Sequence, residues 1–332
     1  MLIVGPNLTL DRTGRIPQLR PGGVLRFEEV TVTAGGKGVN VARAVDSLGG
    51  RGTLVAFVPG PTGRQAAQRI ADEGLTLRRV SCGGELRSTG VIFEASGRVT
   101  VLNEPGPAIG EVEWRRLRAA VIRSLVAERI LACSGSFPPG SPEGGAAELV
   151  ELAHGRGALA LVDTAGPALA RALAASPDLV APNLAEAEAV LGGRAAEAVA
   201  VPTGSATQQR ALAAAAALCA RGAGCAVVTA ASAGLAFATR DQRPRWVPAP
   251  RVTTVNPIGA GDAFVAGFGV AREGGAPVDA AVLAGAAAAA ASVETALAGA
   301  LHHARAEALL VEMQRRSPSA PAPPGSLLAS RP

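Results

Sequence analysis

Short apolar runs alternate with longer segments whose apolar residues recur at helical spacing through most of the chain. The runs Leu2–Val4, Thr53–Val58, Arg129–Cys133, Ala158–Val162, Leu179–Ala181 and Cys225–Thr229 read as strands. Between them Val39–Leu48, Gly63–Glu73, Val112–Val126, Gly144–His154, Ala168–Ala174, Leu184–Leu191 and Gln208–Ala220 read as helices. Strands that alternate with helices form βαβ units, so the pattern predicts an α/β fold around a mainly parallel sheet. After Thr229, Leu235–Ala238 and Arg245–Val247 predict a hairpin, and Ala263–Glu273, Val278–Thr295 and Arg305–Arg315 predict three closing helices. The alanine runs Ala213–Ala217 and Ala286–Ala291 fit tightly packed helices, because Ala has the highest helix propensity.

Two stretches break the alternation. Val24–Thr33 and Val91–Asn103 look like strands without crossover helices, and predict a small sheet standing off the main one as a lid over a site. Residues 1–316 are expected to form one domain, with lid strands within 12–34 and 88–103. Residues 317–332, rich in Pro, Ser and Ala, are expected to be a disordered tail.

With 332 residues and 48% hydrophobic content the chain can bury a large core, which excludes disorder for its bulk. It contains no run of about 18 apolar residues, which excludes a membrane-spanning helix. The opening MLIVGPNLTLDRT has neither a basic leader nor a small-residue cleavage site, so no signal peptide is read and a cytoplasmic protein is expected. The formal net charge of +5 comes from scattered residues, and with no Tyr and two Trp there is little for bases to stack on; nucleic acid is not expected as a partner. Cys82, Cys133, Cys219 and Cys225 lack metal-ligand spacing and read as free thiols of a reducing compartment. His154, His302 and His303 offer no basis for a zinc site or a His-based triad.

Scarcity is more informative. Lys occurs once, at Lys37, among 32 basic residues, and Asn only at Asn7, Asn40, Asn103, Asn183 and Asn256. A composition this poor in both residues nominates those that remain for tasks that Arg, Gln or Asp cannot perform, since a compact ammonium differs from a planar guanidinium in reach and geometry.

Asn256-Pro257-Ile258-Gly259-Ala260-Gly261-Asp262 leads into an apolar helix. Small residues at a helix start leave unpaired N–H groups that can dock an anion, aided by the helix dipole. Asp262 in that turn can be a cap, or a general base for a hydroxyl attacking a phosphoryl group on those amides. A second glycine loop, Gly35-Gly36-Lys37-Gly38, opens another helix and carries the lone ammonium, with Asn40 one turn later able to bond a hydroxyl. Its spacing matches neither the Walker A loop nor the dinucleotide fingerprint. Asn7 and Asp11 follow the first strand, where an open α/β sheet gathers its ligands. Asn183 and Glu186 share a helix face, which suits outer-shell ligands of hydrated Mg²⁺ or a capping box. Ser134 and Ser136 end another strand with two hydroxyls.

Taken together, NLTLD (7–11), TAGGKGVNVAR (33–43), NEPGP (103–107), SGSFPPG (134–140), DTAG (163–166), PNLAE (182–186) and NPIGAGDAF (256–264) resemble the ribokinase-like carbohydrate kinases of the phosphofructokinase B family, in matching order over about residues 1–295. Within it the chain is most similar to the 1-phosphofructokinases and tagatose-6-phosphate kinases. The resemblance implies a three-layer α/β/α domain with a β-lid, Asp262 as catalytic base, and an anion hole of Gly259, Ala260, Gly261 and Asp262 amides. It implies that Asp11, Gly35, Gly36, Lys37, Asn40, Arg87 and Ser136 bind the phosphosugar, with Lys37 and Arg87 on its phosphate. It places ATP along Asn183, Thr229, Ala231, Gly234, Gly259 and Gly261, with Mg²⁺ near Asn183 and Glu186. Pairing of two copies through the lid is implied as well. Three positions depart from the branch: Ala181 stands for a Lys, Ala231 for a Gly of the nucleotide segment, and Thr89 for an Asn. The resemblance thus implies ATP-dependent conversion of fructose 1-phosphate to fructose 1,6-bisphosphate. Tagatose 6-phosphate or fructose 6-phosphate are alternative substrates, and a non-catalytic sugar-phosphate or nucleotide sensor is the alternative of another class.

Overall fold

Successive strand residues send their side chains to opposite faces of one sheet, and this alternation builds the three layers. In the computed structural model, which describes residues 1–125, 129–192 and 204–316, the chain runs β1 (Leu2–Val4), β2 (Thr9–Ile16), β3 (Val30–Gly35), α1 (Lys37–Ser47), β4 (Thr53–Phe57), α2 (Gly60–Asp72), β5 (Thr76–Val80), β6 (Arg87–Glu94) and β7 (Val99–Asn103). It continues with α3 (Glu111–Ser124), β8 (Ile130–Ser134), α4 (Gly145–His154), β9 (Leu159–Asp163), α5 (Gly166–Ala174), β10 (Leu179–Val180), α6 (Leu184–Gly192) and α7 (Ser205–Ala220). The last elements are β11 (Cys225–Thr229), β12 (Gly234–Thr239), β13 (Gln242–Pro248), α8 (Ala260–Glu273), α9 (Val278–Ser292) and α10 (His303–Arg316). The expected tail 317–332 lies outside the described residues, as does Val126 at the end of a predicted helix.

Nine strands form the main sheet in the order β13-β12-β11-β10-β9-β8-β1-β4-β5. All neighbours are parallel except β11 with β12 and β12 with β13, the predicted hairpin. Ile3, Leu54, Ala132, Leu161 and Val227 point to a face covered by α1, α8, α9 and α10. Leu2, Val4, Val55, Leu131, Val162 and Val228 point to the other, covered by α3, α4, α5 and α7. Chain order runs outward from β1 through β4 to β5, then outward from β8 through β9 and β10 on the other side. The carboxyl ends of β1 and β8 therefore flank a topological switch point, where an α/β sheet opens a crevice.

The second sheet has the order β3-β2-β6-β7. Its extent differs from the sequence reading. Val24–Glu29 are not strand, and β3 begins at Val30. Val91–Asn103 splits into β6 and β7 around a turn with Gly97 at φ 83°. β2 pairs antiparallel with β3 and parallel with β6, and its alternating TLDRTGRI lacks the continuous apolar run that marks the main strands. β5, an edge strand, escaped for the same reason: TLRRV carries two arginines. Helix α9 stops at Ser292 rather than Thr295, while α1 and α8 begin earlier than expected, at Lys37 and Ala260.

Candidate active site

Two glycine contacts bring the helices carrying chemistry to the crevice. Gly38 in the first turn of α1 packs on Gly5 at the end of β1 so closely that a Cβ on Gly38 would lie 2.6 Å from Gly5 Cα. Gly259, in the left-handed region at φ 88°, caps α8 and faces the loop after α9, where its Cβ would lie 2.6 Å from the Gly299 nitrogen. The first N–H groups of α8 have no partner within the helix, and nothing lies within 4 Å of where a side chain on Gly261 would begin. Of the residues expected to form the anion hole, Gly261 has open space on its side-chain side, whereas Gly259 packs against Gly299.

Asp262 sits in this turn, 4% exposed. Its Oδ2 accepts a hydrogen bond of 2.8 Å from Asn40 Nδ2. Burial raises its pKa well above the ordinary carboxylate range, and the Asp163 carboxylate adds to the effect; Lys37 and the Asn40 bond oppose it. An acid so tuned can accept a proton near neutrality, as a base must. The hydrogen bond from Asn40 ties this first-turn carboxylate of α8 to α1.

Lys37 opens α1 and reaches the carboxyl end of β9. Its Nζ donates to Asp163 Oδ1 at 2.9 Å and lies 3.9 Å from Glu186 Oε1. Burial disfavours the ammonium, but Asp163, Glu186 and Asp262 outweigh it and keep Lys37 charged. Ser134 Oγ at the end of β8 donates to the other Asp163 oxygen at 3.1 Å. Asp163, to which sequence reading gave no role although its DTAG segment lies at a strand end, is the group the structure adds beside Lys37 and Asp262.

Asp11 projects from β2 over Gly35, where any side chain would overlap its carboxylate. Its Oδ1 is buried without a partner. Burial pushes its pKa up to about 6, against the pull of Arg87 and Arg43 and of the Thr9 and Thr89 hydroxyls. Arg87, at the start of β6, donates to the Asn7 carbonyl at 3.1 and 3.3 Å, and Asn7 Nδ2 donates to Ser136 Oγ at 2.9 Å. Gly36, at φ 94°, turns the chain from β3 into α1. Asp11, Arg87, Asn7 and Ser136 thus form one connected group and Lys37, Asp163 and Asp262 another, both at the carboxyl ends of the strands. Lys37 donates to Asp163, whereas Arg87 donates to the Asn7 and Glu104 carbonyls.

Asn183 and Glu186 form a reciprocal capping box: the Asn183 N–H donates to Glu186 Oε2 and the Glu186 N–H to Asn183 Oδ1, each at 2.9 Å. Asn183 also bridges in parallel to Thr229, so the ends of β10 and β11 meet beside Lys37. Among the described residues no cluster of three or more His, Cys, Asp or Glu could enclose a metal ion. The donor set here, one carboxylate and one amide, fits contact with a hydrated Mg²⁺ through its waters rather than direct ligation. Ala231 follows Thr229 with φ 49°, a left-handed conformation that glycine adopts freely and Ala does not. Gly234 closes this turn, its φ of 136° reserved for glycine.

Residues 7–304 match the model of the pfkB family of carbohydrate kinases. The chain belongs to this family. A 1-phosphofructokinase from Xanthomonas campestris pv. campestris is 32% identical over 270 residues, covering 80% of this chain and 81% of that one. One from Rhodobacter capsulatus is 33% identical over 268 residues, with 80% and 81% covered. A crystal structure of phosphofructokinase-2 from Escherichia coli superposes with a TM-score of 0.83 at 28% identity, covering 95% of this chain and 99% of that one. The PfkB fold is the ribokinase-like α/β/α arrangement described above.

Proposed function

We propose that this PfkB-family enzyme transfers the γ-phosphoryl group of ATP to a phosphohexose, converting fructose 1-phosphate to fructose 1,6-bisphosphate. The observation that carries the reading is the buried acid at the start of α8, bonded to Asn40 and with raised proton affinity, next to Gly261, whose side-chain position is open. Asp262 takes the proton from the sugar hydroxyl as that oxygen attacks the γ-phosphorus in line, the bond to the β-phosphate oxygen breaks, and ADP leaves. The amides of Gly259, Ala260, Gly261 and Asp262 hold the transferring group where charge develops. Lys37 adds an ammonium beside Asp262.

On the sugar side, Asp11, Asn40 and Ser136 offer groups for hydroxyls, Gly35 and Gly36 allow close approach, and Arg87 offers a guanidinium to a phosphate. The relatives named 1-phosphofructokinase favour the 1-phosphate over tagatose 6-phosphate or fructose 6-phosphate. ATP lies along Asn183, Thr229, Ala231, Gly234, Gly259 and Gly261. Asn183 and Glu186 would hold a hydrated Mg²⁺ through its waters, and the ion would offset the negative charge of the phosphates. The intact Asp262 and its anion hole favour an enzyme over a sensor, despite Ala181 and Ala231.

A cytoplasmic setting is part of the reading, supported by four unpaired cysteines. So is a homodimer through the lid, the second sheet. On that sheet and its β2–β3 loop, Val24 is 87%, Leu102 60% and Phe27 44% exposed. Large apolar side chains exposed on one small sheet favour a protein partner over water. A coupled assay of ADP release over a panel of phosphohexoses tests the function. Fructose 1-phosphate is expected to give the highest kcat/KM, and absence of ADP release with every sugar phosphate refutes the proposal.

A further inference from the structure

Arg43 lies one turn after Asn40 on α1 and is 5% exposed. Every one of its N–H groups has an acceptor. Nε and Nη2 fork onto Glu73 at 2.7 and 3.0 Å, Nη2 also donates to the Ala34 carbonyl at 3.1 Å, and Nη1 donates to the Ala298 carbonyl at 2.6 Å and to Asn40 Oδ1 at 3.1 Å. Nothing is left over for a ligand, so a role in binding is closed to it. What it does to Asn40 follows from chemistry: a guanidinium can only donate, so the amide atom facing it must be the oxygen. The amide nitrogen is then turned to Asp262.

We propose that Arg43 is a positioning residue that locks the Asn40 side-chain amide so that it presents a donor, never an acceptor, to Asp262. Through the Ala34 and Ala298 carbonyls the same guanidinium ties the strand that ends at Gly35 to the loop in which Gly299 packs against Gly259. The inference rests on the proposed role of Asp262 as base. A donor at Asp262 favours its ionised, proton-accepting form. Other groups face that carboxylate too, Asp163 from β9 and Lys37 from α1, with Glu186 of α6 acting through Lys37. Without Arg43 the amide can rotate and offer Oδ1 to a protonated Asp262, which favours the unreactive form.

The test is the acid limb of kcat/KM, measured on the full chain with fructose 1-phosphate and ATP. Arg43→Met should move the limb to higher pH by about half a unit to one unit, the size expected for one lost hydrogen bond to a carboxylate. Arg43→Lys, which still can only donate, should return it toward the parent value although it too loses the fork onto Glu73. In an Asn40→Ala background Arg43→Met should move the limb no further. A purely structural Arg43 would lower Tm in both variants and leave the limb in place, and that result overturns the proposal. If Arg43→Met does not fold, the unmodified enzyme still decides. The Asn40 side-chain amide resonance, assigned by its loss in Asn40→Ala, should shift with the acid limb while the Arg43 guanidinium protons resist exchange. A pH-independent amide signal, or rapidly exchanging guanidinium protons, overturns it equally. Asp262→Asn separates the two readings: residual activity near the parent level removes the base, whereas an inactive Asp262→Asn with an unmoved Arg43→Met limb removes only Arg43.

Discussion

Replacing Asp262 by Asn is the most informative single perturbation, because the pocket tolerates the new group and the chemistry does not. Asn keeps the volume of Asp, its Oδ1 can still accept from Asn40 Nδ2, and its amide nitrogen can donate to the adjacent Asp163. Binding of both substrates should therefore persist. What is lost is a proton acceptor, worth about 10²–10⁴-fold in a positioned general base, or about 3–5 kcal/mol in the barrier at 1.36 kcal/mol per decade. The stability change has the opposite sign. A carboxyl whose folded-state pKa is raised binds more protons folded than unfolded, so its ionisation destabilises the fold as pH rises above the ordinary carboxylate range. Asp262→Asn should accordingly raise Tm at pH 8, with the gain shrinking toward pH 5. Single-turnover measurement of ADP formation, with substrate affinities from isothermal titration, gives the kinetic half of the test; scanning calorimetry gives the other. Turnover within tenfold of the parent would refute the base. A Tm that falls at pH 8 would refute the account of how Asp262 is tuned.

Lys37→Met removes the cation among Asp163, Glu186 and Asp262; kcat/KM should fall by about 10²-fold or more, and the acid limb should move to higher pH, read from a pH–rate profile. Ala231→Gly relieves a left-handed φ of 49°, and should raise stability by about 1 kcal/mol in urea titration with a lower KM for ATP. Val24→Asp combined with Leu102→Asp should turn a sedimenting dimer into a monomer in analytical ultracentrifugation; an unchanged dimer places the interface elsewhere.

The alternation of short apolar runs and helices was enough to predict a parallel sheet, because strands buried on both faces must be continuously apolar and such runs stand out. Lys37 and Asn40 stood out through scarcity, and Asp262 through its glycine loop. β5 and β2 did not. Half-exposed strands carry polar residues on alternate positions, and arginines at Arg78 and Arg79 erase the apolar signal altogether. Arg43 was invisible for a different reason: one arginine in a chain full of them shows nothing in sequence of five acceptors converging on it.

Local sequence thus determined which segments become strands and helices and which side chains have reactive chemistry, since propensity, burial pattern and capping act over a few residues. Tertiary structure alone decided the partnerships. It set Lys37 against Asp163, 126 positions along the chain, and Asn40 against Asp262, 222 positions along. The first follows from α1 starting beside the end of β9 and the second from α1 meeting α8 near the point where strand order reverses, and Gly38 and Gly259 let backbones approach there more closely than a side chain allows. Proton affinity, too, was a tertiary product: burial and neighbouring charge, not residue type, raise Asp262 above an ordinary carboxylate.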